Sequence, residues 1–154
     1  MSEQLLLKRI GKMNPTSVDE FVKLGGFDGI KKAVKMKKED VIEEIIKANL
    51  RGRGGAAYPA GKKWQQLYAI KENPKYIVCN ADEGEPGTFK DRELLDKTPL
   101  SVIEGMLIAG YVFGSEKGYI YIRGEYQKIQ KVFQQAIDNA GKAGFLGNDI
   151  LGIK

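Results

Sequence analysis

The sequence predicts an α/β fold: a helical amino-terminal segment over residues 1–50, then a parallel-sheet unit over residues 51–154 that this chain leaves incomplete. Three observations lead there. Before residue 50 the apolar residues recur at three- and four-residue spacing, the helical period. After it, two short apolar runs, residues 76–79 and 118–124, alternate with long helical patterns, the order of a βαβ unit with parallel strands and a right-handed crossover. Two strands are too few for a parallel sheet buried on both faces, so further sequence or a partner is expected to complete it.

Taken in order, Ser17-Val-Asp-Glu20 has capping-box spacing ahead of Phe21 and Val22, and Gly25-Gly26 ends that helix. A second helical piece, 28–36, puts Ile30, Ala33 and Val34 on one face. A third, 41–50, repeats Val41, Ile42, Ile45, Ile46 and Leu50 at helical spacing with Glu43, Glu44 and Lys47 outward, and this whole region is expected to serve packing and interfaces. A Gly-rich loop precedes a short amphipathic stretch, 62–70, then comes the strand 76–79 and an acidic loop. After Pro99 a long helical pattern, 100–112, turns Val102, Ile103, Met106, Leu107 and Gly110 inward. The second strand follows at 118–124, and a helix over 126–140 carries the stripe Ile129, Val132, Phe133, Ala136 and Ile137. The apolar faces of these last two helices are expected to stay partly exposed unless missing strands or a partner cover them.

Composition narrows the chemistry. At 154 residues and 42% hydrophobic, the chain has material for one core. Its longest apolar-leaning stretch, 100–113, contains Glu104 and falls short of the roughly 20 residues a bilayer requires. The amino-terminal apolar run, Leu5 to Leu7, is too short for a secretory signal, so no membrane insertion is expected and the cytoplasm is the expected compartment. Cys79 is the one cysteine and histidine is absent. That excludes an intramolecular disulfide, a zinc or iron–sulfur site built by this chain alone, and histidine-based catalysis. The net charge is +5, yet the basic residues are interspersed with acidic ones and form no module with the aromatics, so nucleic acid is not an expected partner. Carboxylates, lysines or a bound cofactor must carry any chemistry.

Two segments are candidates. In Arg51-Gly-Arg-Gly-Gly-Ala-Ala-Tyr-Pro-Ala-Gly-Lys-Lys-Trp64, glycines let backbone N–H groups converge on an anion while Arg53, Lys62 and Lys63 add positive charge. It is either a phosphate loop or a tight connection. It is not a P-loop, because five residues separate Gly55 from Gly61 and Lys63 stands where Ser or Thr should hold magnesium. Gly52-x-Gly54-x-x-Ala57 matches the dinucleotide spacing, but it follows a helix, and Pro59 interrupts the helix that should come next. The second segment, residues 80–93, directly follows the first strand. In open α/β sheets a loop at a strand's carboxyl end faces the ligand crevice, so Asn80, Asp82, Glu83 and Glu85 are placed to meet hydroxyls and amides, unless the loop is a solvated turn bent by Pro86-Gly87. The second strand ends in Arg123-Gly124-Glu125-Tyr126, and two strand ends with a phosphate loop would form one cleft.

These residues also carry a resemblance. Arg51-Gly-Arg-Gly-Gly55 with Pro59 and Gly61-Lys-Lys-Trp64, the run Tyr76 to Arg92, Ile103-Glu-Gly-Met106 and Tyr119-Ile-Tyr-Ile-Arg-Gly-Glu-Tyr126 resemble the NADH-binding flavoprotein subunit of respiratory complex I. NAD-linked hydrogenases and formate dehydrogenases carry related subunits. The likeness runs in order along essentially the whole chain, more weakly over residues 1–45. It implies a Rossmann-like FMN-binding domain, a non-covalent FMN that takes hydride from NAD(P)H and passes electrons to iron–sulfur clusters, and other subunits of a multi-subunit complex as partners. Carried over residue by residue, it implies that Gly52, Arg53, Gly54, Gly55 and Lys63 line the flavin phosphate and ribityl chain, and that Asn80, Asp82 and Glu83 hydrogen-bond the flavin. Tyr121, Gly124 and Glu125 would lie near the ring and the nicotinamide nucleotide. Glu85 would stand at the reacting centre beside both, and Tyr58 would stack on the nucleotide base. Where relatives often read Gly-Phe-Pro-Thr, this chain reads Ala57-Tyr-Pro-Ala60. The family continues into a second Gly-rich segment and a helical bundle whose cysteines hold a 4Fe–4S cluster, so the cluster is expected there and the isolated chain is not expected to turn over. A flavin- or nucleotide-binding fragment without turnover, or a subunit-docking module, are the alternatives.

Overall fold

A computed structural model of the chain describes residues 5–151. Residues 1–4 and 152–154, which bear on the readings of the amino terminus and the Gly-punctuated tail, lie outside the described residues. Three short helices open the chain, α1 (Val18–Lys23), α2 (Asp28–Ala33) and α3 (Lys38–Lys47), followed by α4 (Ala60–Ala69), β1 (Tyr76–Ala81), α5 (Lys90–Lys97), α6 (Pro99–Phe113), β2 (Lys117–Ile122) and α7 (Gln127–Lys142). The fold is mostly helical with a small parallel sheet. β1 and β2 pair in parallel from Tyr76↔Lys117 to Ala81↔Ile122, and α5 and α6 make the crossover.

The first helix starts on half of the expected capping box. Ser17 Oγ accepts the Glu20 N–H, but the Glu20 carboxylate turns away to the Asn14 N–H at 2.7 Å. At α2, the N-cap Phe27 sits at φ 61° with no side-chain cap of its own. The missing acceptor comes from α6: Glu104 Oε1 takes the N–H groups of Gly29 and Ile30 at 2.8 and 3.3 Å.

Helix α6 is the hub. It contributes to both apolar clusters, one with Phe21, Phe27, Leu95, Phe133 and Ala136, the other with Val41, Ile42 and Ala33. Its buried residues Leu100, Ile103, Ala109, Val112 and Phe113 go round the helix, so the single inward face expected from the sequence is too narrow. A helix apolar on all sides is a buried one.

The structure corrects one other expectation. Residues 90–97 form α5, where the sequence reads as the continuation of an acidic loop. Apart from Leu94 and Leu95 this segment is all charged, so it has no apolar period to reveal it, and only Leu95 is buried. The helix faces expected to stay partly exposed are covered in part: Ile103, Phe133, Ala136 and Ala140 are buried where α6 and α7 meet each other and α1, α2 and α5, while Val102, Met106, Leu107, Val132 and Ile137 are half-buried. What remains uncovered is the outer face of the sheet: Tyr76, Val78, Tyr119 and Tyr121 are all exposed, Val78 by 63%. Their alternates Ile77, Cys79, Ile120 and Ile122 pack inward, as the two-residue period of a strand requires.

Candidate functional site

The Gly-rich segment folds as a closed loop on the start of α4. Its ends are joined by an antiparallel bridge between Arg51 and Pro59, with the Gly52 N–H on the Tyr58 carbonyl at 2.9 Å and the Ala60 N–H on the Leu50 carbonyl at 2.8 Å. Between those ties, the N–H groups of Arg53 to Ala57 make no hydrogen bond among the described residues. Gly55 at φ +113° and Ala57 at φ +49° bend the backbone through positive-φ conformations. The loop is exposed from Arg51 to Tyr58, and α4 begins at N-cap Pro59 without a side-chain cap. Arg53, Lys62 and Lys63 are exposed and take part in no ion pair among the described residues. Tyr58 places its hydroxyl on Gln66 Oε1 at 3.2 Å. The helix can lie this close to α3 only because residue 61 is glycine, where a Cβ would stand 2.4 Å from Ile46 Cγ1. A row of free donors with exposed cations beside it suits a phosphate.

At the carboxyl ends of the strands the register sets Asn80 directly beside Tyr121, both exposed on the outer face of the sheet. Asn80 Oδ1 accepts the Asp82 N–H at 3.1 Å, bending the chain out of β1. Asp82 and Glu85 then present their carboxylates to solvent. Thr88 closes the next bend, its N–H and Oγ on the Glu85 carbonyl at 3.2 and 2.6 Å, with Gly87 at φ +81°. Gly124 is exposed, and a Cβ there would meet nothing within 4 Å, so a ligand can approach its backbone.

Glu83 is different. It is 5% exposed, and its carboxylate accepts the N–H groups of Asp91 at 2.8 Å and Arg92 at 3.3 Å and the Tyr126 hydroxyl at 3.1 Å. Burial alone pushes its carboxyl up, but the two N–H donors at the start of α5, the Tyr126 hydroxyl and Lys90 outweigh that and hold it below the usual carboxylate range. Glu83 therefore caps α5 from outside the helix.

One guanidinium gathers the rest. Arg123 Nη1 donates to the Glu83 carbonyl at 2.6 Å, while Nε and Nη2 donate to the two Glu125 carboxylate oxygens at 3.0 and 2.8 Å. Held by this pair of bonds, the Glu125 carboxyl is lowered to about 2 and the Arg123 guanidinium is raised. Cys79 lies half-buried behind the sheet, its thiol pushed up by burial and then by Asp91, which leaves it a packing residue rather than a nucleophile.

The structure thus brings together Asn80 with Tyr121, and Asp82, Glu83 and Glu125 around Arg123. No hydrogen bond or ion pair among the described residues joins the Gly-rich loop to these strand ends. Sequence analysis places Arg123 and Tyr126 at the end of the second strand but gives neither a role. The available signal was the Arg-Gly-Glu spacing, since a glycine between two opposite charges lets the side chains fold onto each other.

Comparison with known proteins settles the family. Residues 45–153 match the family described as the Nuo51 FMN-binding domain. The chain belongs to this family. An NADH-quinone oxidoreductase component from Aquifex aeolicus is 48% identical over 149 residues, which is 96% of this chain and 34% of that protein. The HndC component of the NADP-reducing hydrogenase of Solidesulfovibrio fructosivorans is 41% identical over 97% of this chain and 30% of its own length. A crystal structure of an NAD+-reducing [NiFe]-hydrogenase in the H2-reduced state superimposes with a TM-score of 0.71 at 31% identity, over 92% of this chain and 23% of that one. This member of the Nuo51 FMN-binding family thus spans about a third of the length of the two curated relatives. Among its described residues no helix is long and apolar enough to cross a membrane.

Proposed function

We propose that this chain is the FMN-holding portion of an NADH-oxidising flavoprotein subunit. The observation that carries the reading is the row of unused N–H groups at residues 53–57 beside the unpaired Lys62 and Lys63, in a chain of a family described by FMN binding. Gly52, Arg53, Gly54, Gly55 and Lys63 hold the phosphate, the glycines by their N–H groups and the cations by charge. Asn80 and Asp82 take the ribityl hydroxyls and ring amides. Tyr121, Gly124 and Glu125 line the ring side, Gly124 giving the backbone clearance a flat ring needs. Tyr58 stacks on the nucleotide base. Glu83 serves through the loop it anchors, because its carboxylate is committed to α5 and Tyr126.

When bound, FMN supplies the redox chemistry, taking hydride from NAD(P)H and releasing electrons singly. The residues here orient the cofactor and set the charge around it, with Glu85 as the carboxylate at the reacting centre. Such a portion would serve an NADH dehydrogenase, hydrogenase or formate dehydrogenase on the cytoplasmic side, where a 4Fe–4S cluster held by residues other than those of this chain, and partner subunits, would be the electron acceptors.

Quenching of FMN fluorescence tests the site. Lys63→Ala should weaken FMN about tenfold to a hundredfold, the range of a lost charge-assisted contact, with Lys62→Ala as the milder control. Unchanged affinity in Lys63→Ala would remove the loop from the site. Bleaching of the bound flavin by NADH then separates an electron-transferring unit from one that binds without turnover.

A further inference from the structure

We propose that Arg123 is the positioning residue of this site, fixing the acidic loop after β1 to the end of β2 so that Asp82 and Glu85 face a ligand at one set distance from Glu125. The assignment of that ligand as FMN and NADH rests on the function proposed above, but the clamp rests on geometry alone. Glu83 is gripped twice. Its carbonyl is on Arg123 Nη1, and its carboxylate is on the start of α5 and the Tyr126 hydroxyl. The residues on either side of it along the loop, Asp82 and Gly84 to Gly87, are exposed, so Glu83 is the buried post from which they hang. On the other strand, Arg123 is itself held. Its carbonyl accepts the Gln130 Nε2 at 3.0 Å and the Tyr126 N–H at 3.1 Å, and its guanidinium lies 5.5 Å from the Tyr126 ring centre.

Three of the five guanidinium donors are used at once, in directions fixed by one plane. A lysine ammonium at that position keeps the charge but cannot reach a carbonyl and both carboxylate oxygens together. The structure therefore predicts that charge alone does not replace Arg123. Parallel β1 and β2 pair only as far as Ala81↔Ile122, so beyond that pair the Arg123 guanidinium, with the Tyr126 hydroxyl on Glu83, links the two strand ends.

The experiment compares Arg123→Gln and Arg123→Lys with the wild-type chain by amide hydrogen exchange over residues 82–88, 13C titration of the Glu125 carboxyl, and FMN titration. In both variants exchange at 82–88 should quicken about tenfold or more while the amides of α6 and α7 keep their protection, because a loop loses its anchor and the core does not. In Arg123→Gln the Glu125 carboxyl should return from about 2 to the ordinary range. FMN affinity should fall about tenfold in both variants. Full recovery by Arg123→Lys, or wild-type exchange at 82–88 in Arg123→Gln, overturns the clamp. Faster exchange with unchanged FMN affinity overturns its positioning role. A wild-type chain that takes up no FMN refutes the proposed function instead, and the exchange and titration results still decide whether Arg123 holds the loop. If Arg123→Gln fails to fold, Arg123→Lys carries the same comparison.

Discussion

Replacing Glu83 tests whether a buried carboxylate from one loop holds a helix that has no cap of its own. In Glu83→Ala the N–H groups of Asp91 and Arg92 and the Tyr126 hydroxyl lose their acceptor inside the fold. Loss of an N-cap acceptor costs about 0.5–2 kcal/mol. The favourable placement of a negative charge at a helix start adds about 0.3–1 kcal/mol, more when partly buried. The tyrosine bond adds about 1 kcal/mol. Together these amount to about 2–4 kcal/mol, and at roughly 2–4 °C per kcal/mol for a domain of this size the thermal midpoint should fall by about 5–15 °C. Glu83→Gln keeps the shape and one acceptor oxygen but not the charge, and should lose about half as much. Acid discriminates further. A carboxyl lowered in the folded state contributes stability that is fully present above its unfolded value, about 4.3, and is lost as pH falls through the folded value. The gap between wild type and Glu83→Gln should therefore be full at pH 7 and shrink as pH falls below the unfolded value of about 4.3. Urea unfolding followed by circular dichroism at several pH values measures both quantities. A Glu83→Ala chain within about 0.5 kcal/mol of wild type, with the same pH profile, would refute the argument.

Two further outcomes follow from the loops. Ala57 sits at φ +49°, so Ala57→Gly should hold or raise stability by up to about 1 kcal/mol, whereas Gly55→Ala, at φ +113°, should lower it by about 1–3 kcal/mol in thermal denaturation. Glu85→Gln should leave FMN bound but raise the flavin reduction potential, because a charge that repels the reduced ring is removed, and should alter the NADH-to-NADPH preference; a redox titration and matched kinetics with wild-type values would exclude Glu85 from the site.

Legibility in the sequence followed from how local each signal was. Helix α3 and both strands could be read because their apolar residues repeat at the helical or the two-residue period, and both loops could be read because glycines and carboxylates crowd into short runs. Helix α5 could not, since six of its eight residues are charged and its start is set by Glu83, seven residues upstream of Lys90. The cap of α2 was equally invisible: Phe27 offers no side-chain acceptor, and the one it uses, Glu104, lies 75 residues beyond Gly29. Within the site, spacing located the acidic run but could not say which carboxylates face outward. Glu83 and Glu85 differ by two residues in the chain, yet one is buried and the other exposed, because the loop between them is irregular and carries no period to extrapolate.

That division among the carboxylates determines what the strand ends can bind. Glu83 is withdrawn into the fold and the charge of Glu125 is matched by Arg123, whereas the carboxylates of Asp82 and Glu85 make no ion pair among the described residues. The Gly-rich loop offers the opposite, with N–H groups over residues 53–57 that make no hydrogen bond, and cations at Arg51, Arg53, Lys62 and Lys63 that make no ion pair, among the described residues. A ligand satisfying both must carry an anion at one end and hydroxyl or amide groups at the other. A simple polyanion fits only the loop, and a neutral sugar fits only the strand ends. FMN has a phosphate at the end of a polyhydroxyl chain and a ring edge of amides, so it can satisfy both sets of groups if the loop and the strand ends bind one molecule. Competition between FMN and riboflavin tests that condition. Because the loop is the element suited to phosphate, riboflavin should bind far more weakly than FMN, and Lys63→Ala should narrow the difference. Equal affinity for the two flavins would mean that the Gly-rich loop does not take part.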